Sequence, residues 1–163
     1  MGPGRVVTTQ PVGDVPEELS GRNVGDVMLH APQVIAPTAT VADLHAFFGD
    51  DHLHAALVVD ASGRLLTVVE RADLRGHGPA EAATDLGRLA DRTLAVETDL
   101  PEAWLLMRRS GRRRLAVVDP HTHLLLGLLC LRRSGLGFCT DAGVAERRAA
   151  RDLGRADRSA DPS

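Results

Sequence analysis

A dense run of arginines is the first candidate for binding chemistry. Five arginines fall within residues 108–114, and a guanidinium can hold a phosphate through two parallel hydrogen bonds. Three interpretations are open for this run. It can be the solvated basic end of a helix, where cations suit the helix dipole, or a phosphate contact in a cleft. It can also be a pairing surface across a dimer, against Asp50 and Asp51.

Histidines and cysteines offer metal and thiol chemistry. Two His-x-His pairs could each chelate zinc or nickel from one side of a strand, but no third ligand is placed by spacing, and surface positions also account for them. These pairs are His52/His54 and His121/His123. Cys130 and Cys139 cannot build a disulfide framework and suggest a reducing compartment. We expect Cys130 in the core and Cys139 exposed.

The composition excludes several function classes. The 163-residue chain is 44% hydrophobic and 2% aromatic, and all 19 basic residues are arginine. The absence of lysine excludes Schiff-base and P-loop chemistry, and so few aromatics argue against stacking-based RNA binding. Neither hydrolase motifs nor an 18-residue apolar run occurs. We therefore expect a cytoplasmic protein that is not an enzyme and binds neither nucleic acid nor membrane.

The charges are divided unevenly along the chain. Residues 1–85 carry five arginines against 12 acidic residues, whereas residues 86–163 carry 14 arginines against 10 acidic residues. Such a divided field can steer an anion toward the basic half, or it can support self-association of acidic against basic faces.

An internal repetition organises the chain. A shift of 59 residues, with one added residue late in the second copy, aligns four segments in the same order. The matched segments are 24–27 with 86–89, 40–44 with 99–103, 57–60 with 116–119, and 65–69 with 125–129. The repetition predicts two similar structural units, each too small to be stable alone, which should pack face to face.

Each copy predicts the element order β-α-β-β-α. Thr40 and Asp99 are predicted helix N-caps, and apolar residues at spacings of three and four follow them. Two apolar strands come next, separated by turn residues. The strands are predicted at 55–59 and 65–69 in the first copy and at 115–118 and 124–129 in the second. A short helical stretch should end each copy, at residues 72–75 and 132–134.

The predicted organisation has five parts. These are a flexible N-terminal arm (1–22), repeat 1 (23–76), a linker (77–85), a diverged repeat 2 (86–136), and a polar C-terminal helix and tail (137–163). Four arginines of the tail share one helical face by their spacing. They are Arg147, Arg151, Arg155 and Arg158.

The first copy resembles the cystathionine-β-synthase (CBS) domain. The resemblance rests on VGDVM (24–28), APTATV (36–41), LVVDASGRL (57–65) and ERADL (70–74). The second copy resembles a more diverged member, so that residues 23–136 are similar to a CBS pair, or Bateman module. The resemblance implies an α+β fold: a tandem CBS-domain pair, two β-α-β-β-α repeats related by pseudo-twofold symmetry.

The resemblance also implies a binding site. CBS pairs bind adenosine-containing ligands between their repeats, and the family motif Gly-x-x-Thr/Ser-x-x-Asp supplies an aspartate for the ribose hydroxyls. Asp73 matches that aspartate, although it can equally cap a helix. Glu70 stands at the hydroxyl position, where it would repel a phosphate and favour a neutral or cationic ligand, or it can be a solvated edge residue. The second copy keeps Gly127 but has Arg133 at the aspartate position.

The expected function is regulatory. An adenine nucleotide or S-adenosylmethionine-type ligand would bind in the cleft, and a stand-alone homodimer would relay its presence to its own geometry or to an unidentified protein partner. The expected ligand-binding residues are Asp73, Glu70, Ile35, Ala36, Thr38, Leu57, Val58, Arg113, Arg114 and Arg133. The alternative is a ligand-free adaptor that docks a protein through its arginine clusters and C-terminal helix.

Overall fold

The computed structural model describes residues 15–51, 53–141, 143 and 149. These residues contain two three-stranded sheets, each accompanied by one α-helix. In the first half the elements are β1 (Val34–Ile35), α1 (Val41–Phe47), β2 (Ala55–Val59) and β3 (Leu65–Glu70). In the second half they are β4 (Thr93–Ala95), α2 (Leu100–Ser110), β5 (Arg114–Val118) and β6 (Leu125–Cys130). The predicted helices and strands of both copies are thus confirmed, with small shifts at their ends.

The two sheets have the same topology and register. β1 runs parallel to β2, which pairs antiparallel with β3, and β4, β5 and β6 repeat this arrangement. The register shifts between Val58 and Val59 in the first sheet and between Val117 and Val118 in the second. Because these two positions are 59 residues apart, the structure preserves the repeat seen in the sequence.

The two α-helices begin in different ways. Thr40 caps α1 as predicted, since its hydroxyl accepts the backbone N–H of Asp43 and the Asp43 carboxylate accepts that of Thr40. Asp99 is the N-cap of α2 by position, but its side chain makes no capping hydrogen bond. The second residue of α2 is Pro101, which has no N–H to donate. The predicted capping role of the Asp99 side chain is therefore wrong.

Each half contributes a segment to the core of the other. Val24 is fully buried among the core residues of the second half, whereas Ala83 and Leu86 lie in the core of the first. Leu19 follows Val24 into the second core and is only 4% exposed, at the end of a 3₁₀ helix (Glu17–Leu19). Residues 15–22 therefore pack against the second half, contrary to the flexible arm expected there.

Backbone bridges between the halves come in symmetric pairs. Asn23 pairs with Asp99 as Ala82 pairs with Thr40, and Leu29 pairs with Leu128 as Arg88 pairs with Val68. In each pair of bridges the partners exchange places after a shift of 59 or 60 residues. One bridge, Arg64 with Leu124, is its own counterpart and marks the pseudo-twofold axis.

An aliphatic seam joins the two sheets. It consists of Leu57, Leu65, Val68, Ala116 and Val118. Apolar area removed from water stabilises this contact at roughly 25 cal/mol per Å². The expected face-to-face packing of two repeats is present, and its core is built without aromatic side chains.

The end of the second half departs from the prediction. A helix was expected over residues 132–134, but the chain turns there and returns alongside β6, so that Leu131 bridges Phe138. Cys130 and Cys139 form a disulfide across this turn, with Cα atoms 5.3 Å apart. Cys139 is 7% exposed. The expectations of an exposed Cys139 and of unpaired cysteines are both wrong, because the returning strand carries Cys139 beside Cys130.

Candidate functional site

The candidate site begins where β3 ends. β3 leads directly into a 3₁₀ helix (Arg71–Leu74), and this short connection places Glu70 and Asp73 side by side. The Asp73 carboxylate accepts the backbone N–H of Glu70 at 2.8 Å. Asp73 therefore stabilises the first turn of this helix, which is one of the two roles open to it from the sequence.

Arg92 reaches the same carboxylate from the other repeat. It directly precedes β4, and its side chain is only 3% exposed. Its guanidinium donates to Asp73 Oδ2 at 2.5 Å and to Oδ1 at 3.3 Å, and also to the carbonyl of Val68 at 2.8 Å. The Nη2 atom lies 3.3 Å from Glu70 Oε1 as well. Both oxygens expected to hold a ribose are thus engaged by a buried arginine.

Arg112 pairs with Glu70 from the basic run. Its Nε and Nη2 atoms donate to the Glu70 carboxylate at 2.8 and 3.2 Å. Arg88 and Asp91 form an exposed pair at the rim, and Asp91 lies 3.9 Å from Arg112. We call these six residues the cross-repeat ion cluster: Glu70, Asp73, Arg88, Asp91, Arg92 and Arg112.

The cluster is electrically balanced. Three arginines face three carboxylates, so Glu70 does not present a free negative charge to the cleft. The sequence-based inference that Glu70 repels a phosphate is therefore wrong for this arrangement, since Arg92 and Arg112 neutralise it. The uneven charge of the two halves is also partly satisfied within the chain.

Protonation equilibria reflect these contacts. Partial burial raises the pKa of Asp73, but the hydrogen bonds from Arg92 and from the Glu70 N–H, together with the charge of Arg92, outweigh burial and lower that pKa. The hydrogen bond to Glu70 raises the pKa of Arg112. The ion pairs therefore persist at neutral pH.

The residues expected to receive an adenine are not brought to one surface. Leu57 belongs to the seam between the sheets, whereas Val58 is fully buried in the core of the first half, against which Ile35 packs. Adjacent strand residues point to opposite faces, so Leu57 and Val58 cannot line one cleft with their side chains. Ala36 and Thr38 are exposed in the loop after β1.

The arginines expected near a phosphate are also dispersed. The Arg113 carbonyl accepts the N–H of Leu131 at 2.8 Å, and Arg114 pairs in register with Cys130. Arg133 is exposed in the turn after β6. Only Arg112 of the basic run reaches Glu70, so the phosphate-contact interpretation of residues 108–114 rests on Arg112 alone.

Gly127, the motif glycine of the second half, serves packing. A Cβ atom at this position would lie 2.6 Å from the Leu29 carbonyl and from the Met28 sulfur. A glycine is therefore required because the chain of the first half crosses β6 at this point.

Other candidate sites find less support. Within residues 15–51 and 53–141, no group of three or more His, Cys, Asp or Glu side chains could hold a metal, and His52 lies outside the described residues. A cavity of about 90 Å³ lies between the repeats, smaller than the roughly 300–1,000 Å³ usual for small-molecule sites. It is lined by Leu65, Leu89, Thr93, Val118 and His123. The tail arginines lie outside the described residues.

Arg92 and Arg112 are the site residues that sequence reasoning missed. No motif marks Arg92, which stands alone ahead of an apolar strand, and its counterpart in the first copy is Gln33. Arg112 was included in the basic run, but no spacing linked it to Glu70. The signal that singles out Arg92 is three-dimensional: among the described residues it is the only charged side chain that is buried.

Comparison with known proteins agrees with this architecture. Residues 24–78 match the family model of the CBS domain, and no curated protein sequence matches the chain. The cystathionine beta-synthase pair domain of a proposed Mg²⁺ transporter from Shewanella oneidensis MR-1 is 28% identical, with a TM-score of 0.61, and the match covers 79% of this chain and 73% of that one.

Two further structures hold nucleotides. CBSX2 in complex with AMP is 24% identical, with a TM-score of 0.58 over 82% of this chain and 99% of that one. The cytosolic domain of the Mg²⁺ channel MgtE in complex with ATP is 23% identical, with a TM-score of 0.55 over 67% of this chain and 46% of that one.

The chain is a CBS-domain pair protein with the α+β fold of that family. CBS-domain pairs are regulatory modules. Within the described part of the chain, no helix has the length and apolar character needed to cross a membrane.

Proposed function

We propose that this chain is a regulatory module whose first cleft is closed by Arg92 and opens to admit an adenine nucleotide. The observation that carries the proposal is the two-point contact of Arg92 with Asp73. A ribose needs the same carboxylate oxygens, so binding is an exchange in which Arg92 leaves Asp73. Arg92 belongs to the second repeat and Asp73 to the first, so this exchange alters how the repeats are held together.

The exchange selects for a phosphate-bearing ligand. Displacing Arg92 leaves a buried guanidinium without a counter-charge, which costs about 3–5 kcal/mol unless a new anion pairs with it. A nucleotide phosphate supplies that anion and can be held bidentately by an arginine. Adenosine has no such group and S-adenosylmethionine adds a positive charge. We therefore expect AMP, ADP or ATP rather than the neutral or cationic ligand suggested by Glu70 alone.

Thermal-shift measurements on the full chain test this proposal. AMP, ADP or ATP at millimolar concentration should raise the melting temperature, whereas adenosine and S-adenosylmethionine should not. Asp73→Ala should abolish the nucleotide effect. Arg88→Met, which alters only the exposed rim, should retain it. If none of the three nucleotides stabilises the wild-type chain, the proposal fails.

A second function is favoured by the completeness of the ion cluster. Asp73 and Glu70 are already satisfied by arginines, so the fold needs no ligand to balance their charges. In that case the chain is a structural adaptor that docks a protein through its exposed arginines and C-terminal residues. Stability that is high and unchanged by every nucleotide supports this function over the first.

We further propose that the module is a cytoplasmic homodimer. The acidic first half and basic second half support association of two copies with opposite faces in contact. Light scattering should give twice the mass of the chain, with dissociation favoured by high salt because exposed charges are screened. A monomer at low salt would contradict the dimer.

A further inference from the structure

We propose that the Cys130–Cys139 disulfide is a redox-sensitive latch. When closed, it holds residues 131–139 over the core of the second half; when reduced by a dithiol, it releases this segment and the chain that follows. The inference goes beyond nucleotide binding and does not depend on it.

The latch replaces an element of the repeat. After β3 the first half continues into a 3₁₀ helix, whereas after β6 the chain forms a closed turn. The Cys139 N–H donates to the Cys130 carbonyl at 2.7 Å, and the Arg132 N–H donates to the Gly137 carbonyl at 2.8 Å. Few backbone hydrogen bonds hold this turn, so the disulfide contributes a large part of its closure.

The closed turn covers the chain's single tryptophan. Trp104 of α2 is 2% exposed, and its indole N–H donates to the Gly135 carbonyl at 2.8 Å. Leu131 and Phe138 from the two ends of the turn pack into the same core. The Arg108 guanidinium lies 5.6 Å from the centroid of the Trp104 ring, on the solvent side. Opening the turn would therefore expose an indole that is now sealed.

The compartment argues for a switch rather than a permanent bond. In the cytoplasm, where we place the chain, disulfides are rare, and those that form are usually transient or redox-sensing. Two cysteines give one bond and no framework. Their Cα separation of 5.3 Å lies within the normal range, so the bond can form and break without a large backbone movement.

The chemistry is thiol–disulfide exchange. One thiolate of a dithiol attacks a sulfur of the pair, the bond between Cys130 and Cys139 breaks, and a mixed disulfide forms. The second thiolate of the reductant displaces the protein sulfur. Two electrons and two protons pass to the cysteines, which become thiols, and the dithiol becomes a cyclic disulfide.

The latch also governs the start of the tail. Asp141, two residues beyond Cys139, accepts the His30 N–H at 3.0 Å and lies 2.8 Å from His30 Nδ1. This surface pair is weak alone, so it depends on Cys139 being held in place. Reduction should loosen it and free the arginine-rich residues that follow.

Limited trypsin digestion of the full chain, with and without dithiothreitol, tests the latch. Arg132 and Arg133 are exposed within the turn and provide the cleavage sites. Because the bond restricts a short loop, reduction should speed cleavage after these residues about tenfold or more. Trp104 fluorescence should shift to longer wavelength in parallel, as the indole meets water.

Matched variants complete the test. Cys130→Ala/Cys139→Ala should be cut rapidly with or without dithiothreitol, and Trp104→Phe should lose the emission change while keeping the cleavage change. Iodoacetamide should add no mass to the oxidised chain and two groups after reduction. If both cysteines react in the oxidised chain, or if cleavage and emission are unchanged by reduction, the latch does not exist. The wild-type comparison decides even where the double variant fails to fold.

Discussion

Arg92 donates to both carboxylate oxygens of Asp73 across the boundary between the two repeats. The arginine is 3% exposed and the aspartate side chain 20%, so the pair is shielded from water far more than an ordinary surface ion pair. It also has no equivalent in the other half, where Gln33 and Arg133 occupy the corresponding positions. The pair therefore distinguishes two repeats that the backbone leaves nearly symmetric.

Removing Arg92 should strongly destabilise the fold. Arg92→Met keeps much of the side-chain volume but leaves Asp73 and part of Glu70 without a buried counter-charge, which should cost about 3 kcal/mol of unfolding free energy. Urea denaturation followed by circular dichroism measures the change. Arg88→Met is the matched control, because its pair with Asp91 is about half exposed and should matter little.

The combined variant Arg92→Met/Asp73→Asn separates charge from shape. If the ion pair is responsible, the double variant should be more stable than Arg92→Met, since it leaves no unpaired carboxylate at Asp73. An equal or larger loss in the double variant would show that Arg92 acts through packing instead.

Acid should weaken the fold through Asp73. Arg92 holds the pKa of this carboxyl below its ordinary value of 3.8. The stabilisation is fully present above that ordinary value, where Asp73 is charged in both states, and is lost as the pH falls through the lower folded pKa. Urea midpoints measured from pH 7 down to pH 3 should therefore fall more steeply for the wild-type chain than for Asp73→Asn.

The Arg92→Met variant provides the control for this titration. The Arg92 hydrogen bond is the strongest of the contacts that lower the Asp73 pKa, so its removal should reduce the acid-dependent loss. Other carboxylates titrate alike in all these chains and cancel in the comparison. Parallel curves for the wild-type chain and Asp73→Asn would contradict the role assigned to Asp73.

Local patterns predicted the elements because each pattern has a local cause. The apolar runs at β2 and β3 and the helix that follows Thr40 depend on neighbouring residues, and the structure confirms them. The exchange of Val24 and Leu86 between halves was not predicted, since it depends on how two finished repeats meet. The turn after β6 was missed for a related reason, because Cys139 returns from beyond the expected end of the repeat.

The site shows the same division. Asp73 and Glu70 could be selected from sequence because a family motif marks their positions. Arg92 could not, since its 19-residue separation from Asp73 matches no local rule and its pairing is created by the packing of two repeats. Charge patterning indicated that the halves attract each other, but it could not identify which arginine meets which acid.

Gly127 provides a test of the crossing between halves. Gly127→Ala would place a Cβ atom 2.6 Å from the Leu29 carbonyl and the Met28 sulfur, and such overpacking usually costs about 1–3 kcal/mol. Gly137→Ala is the matched control, because no atom lies within 4 Å of its added carbon. Urea denaturation should show a clear loss for the first variant and little change for the second; equal effects would place the crossing elsewhere.

The two helix starts offer a comparison within one molecule. Thr40→Ala removes a hydroxyl that accepts the Asp43 N–H and should cost about 1 kcal/mol. Asp99→Ala should cost clearly less, although sequence reasoning gave both residues the same role, because the Asp99 side chain makes no capping hydrogen bond at a helix whose second residue is Pro101. Unfolding free energies from urea titrations measure both changes. A larger loss for Asp99→Ala would mean that its charge at the helix N-terminus outweighs the missing hydrogen bond.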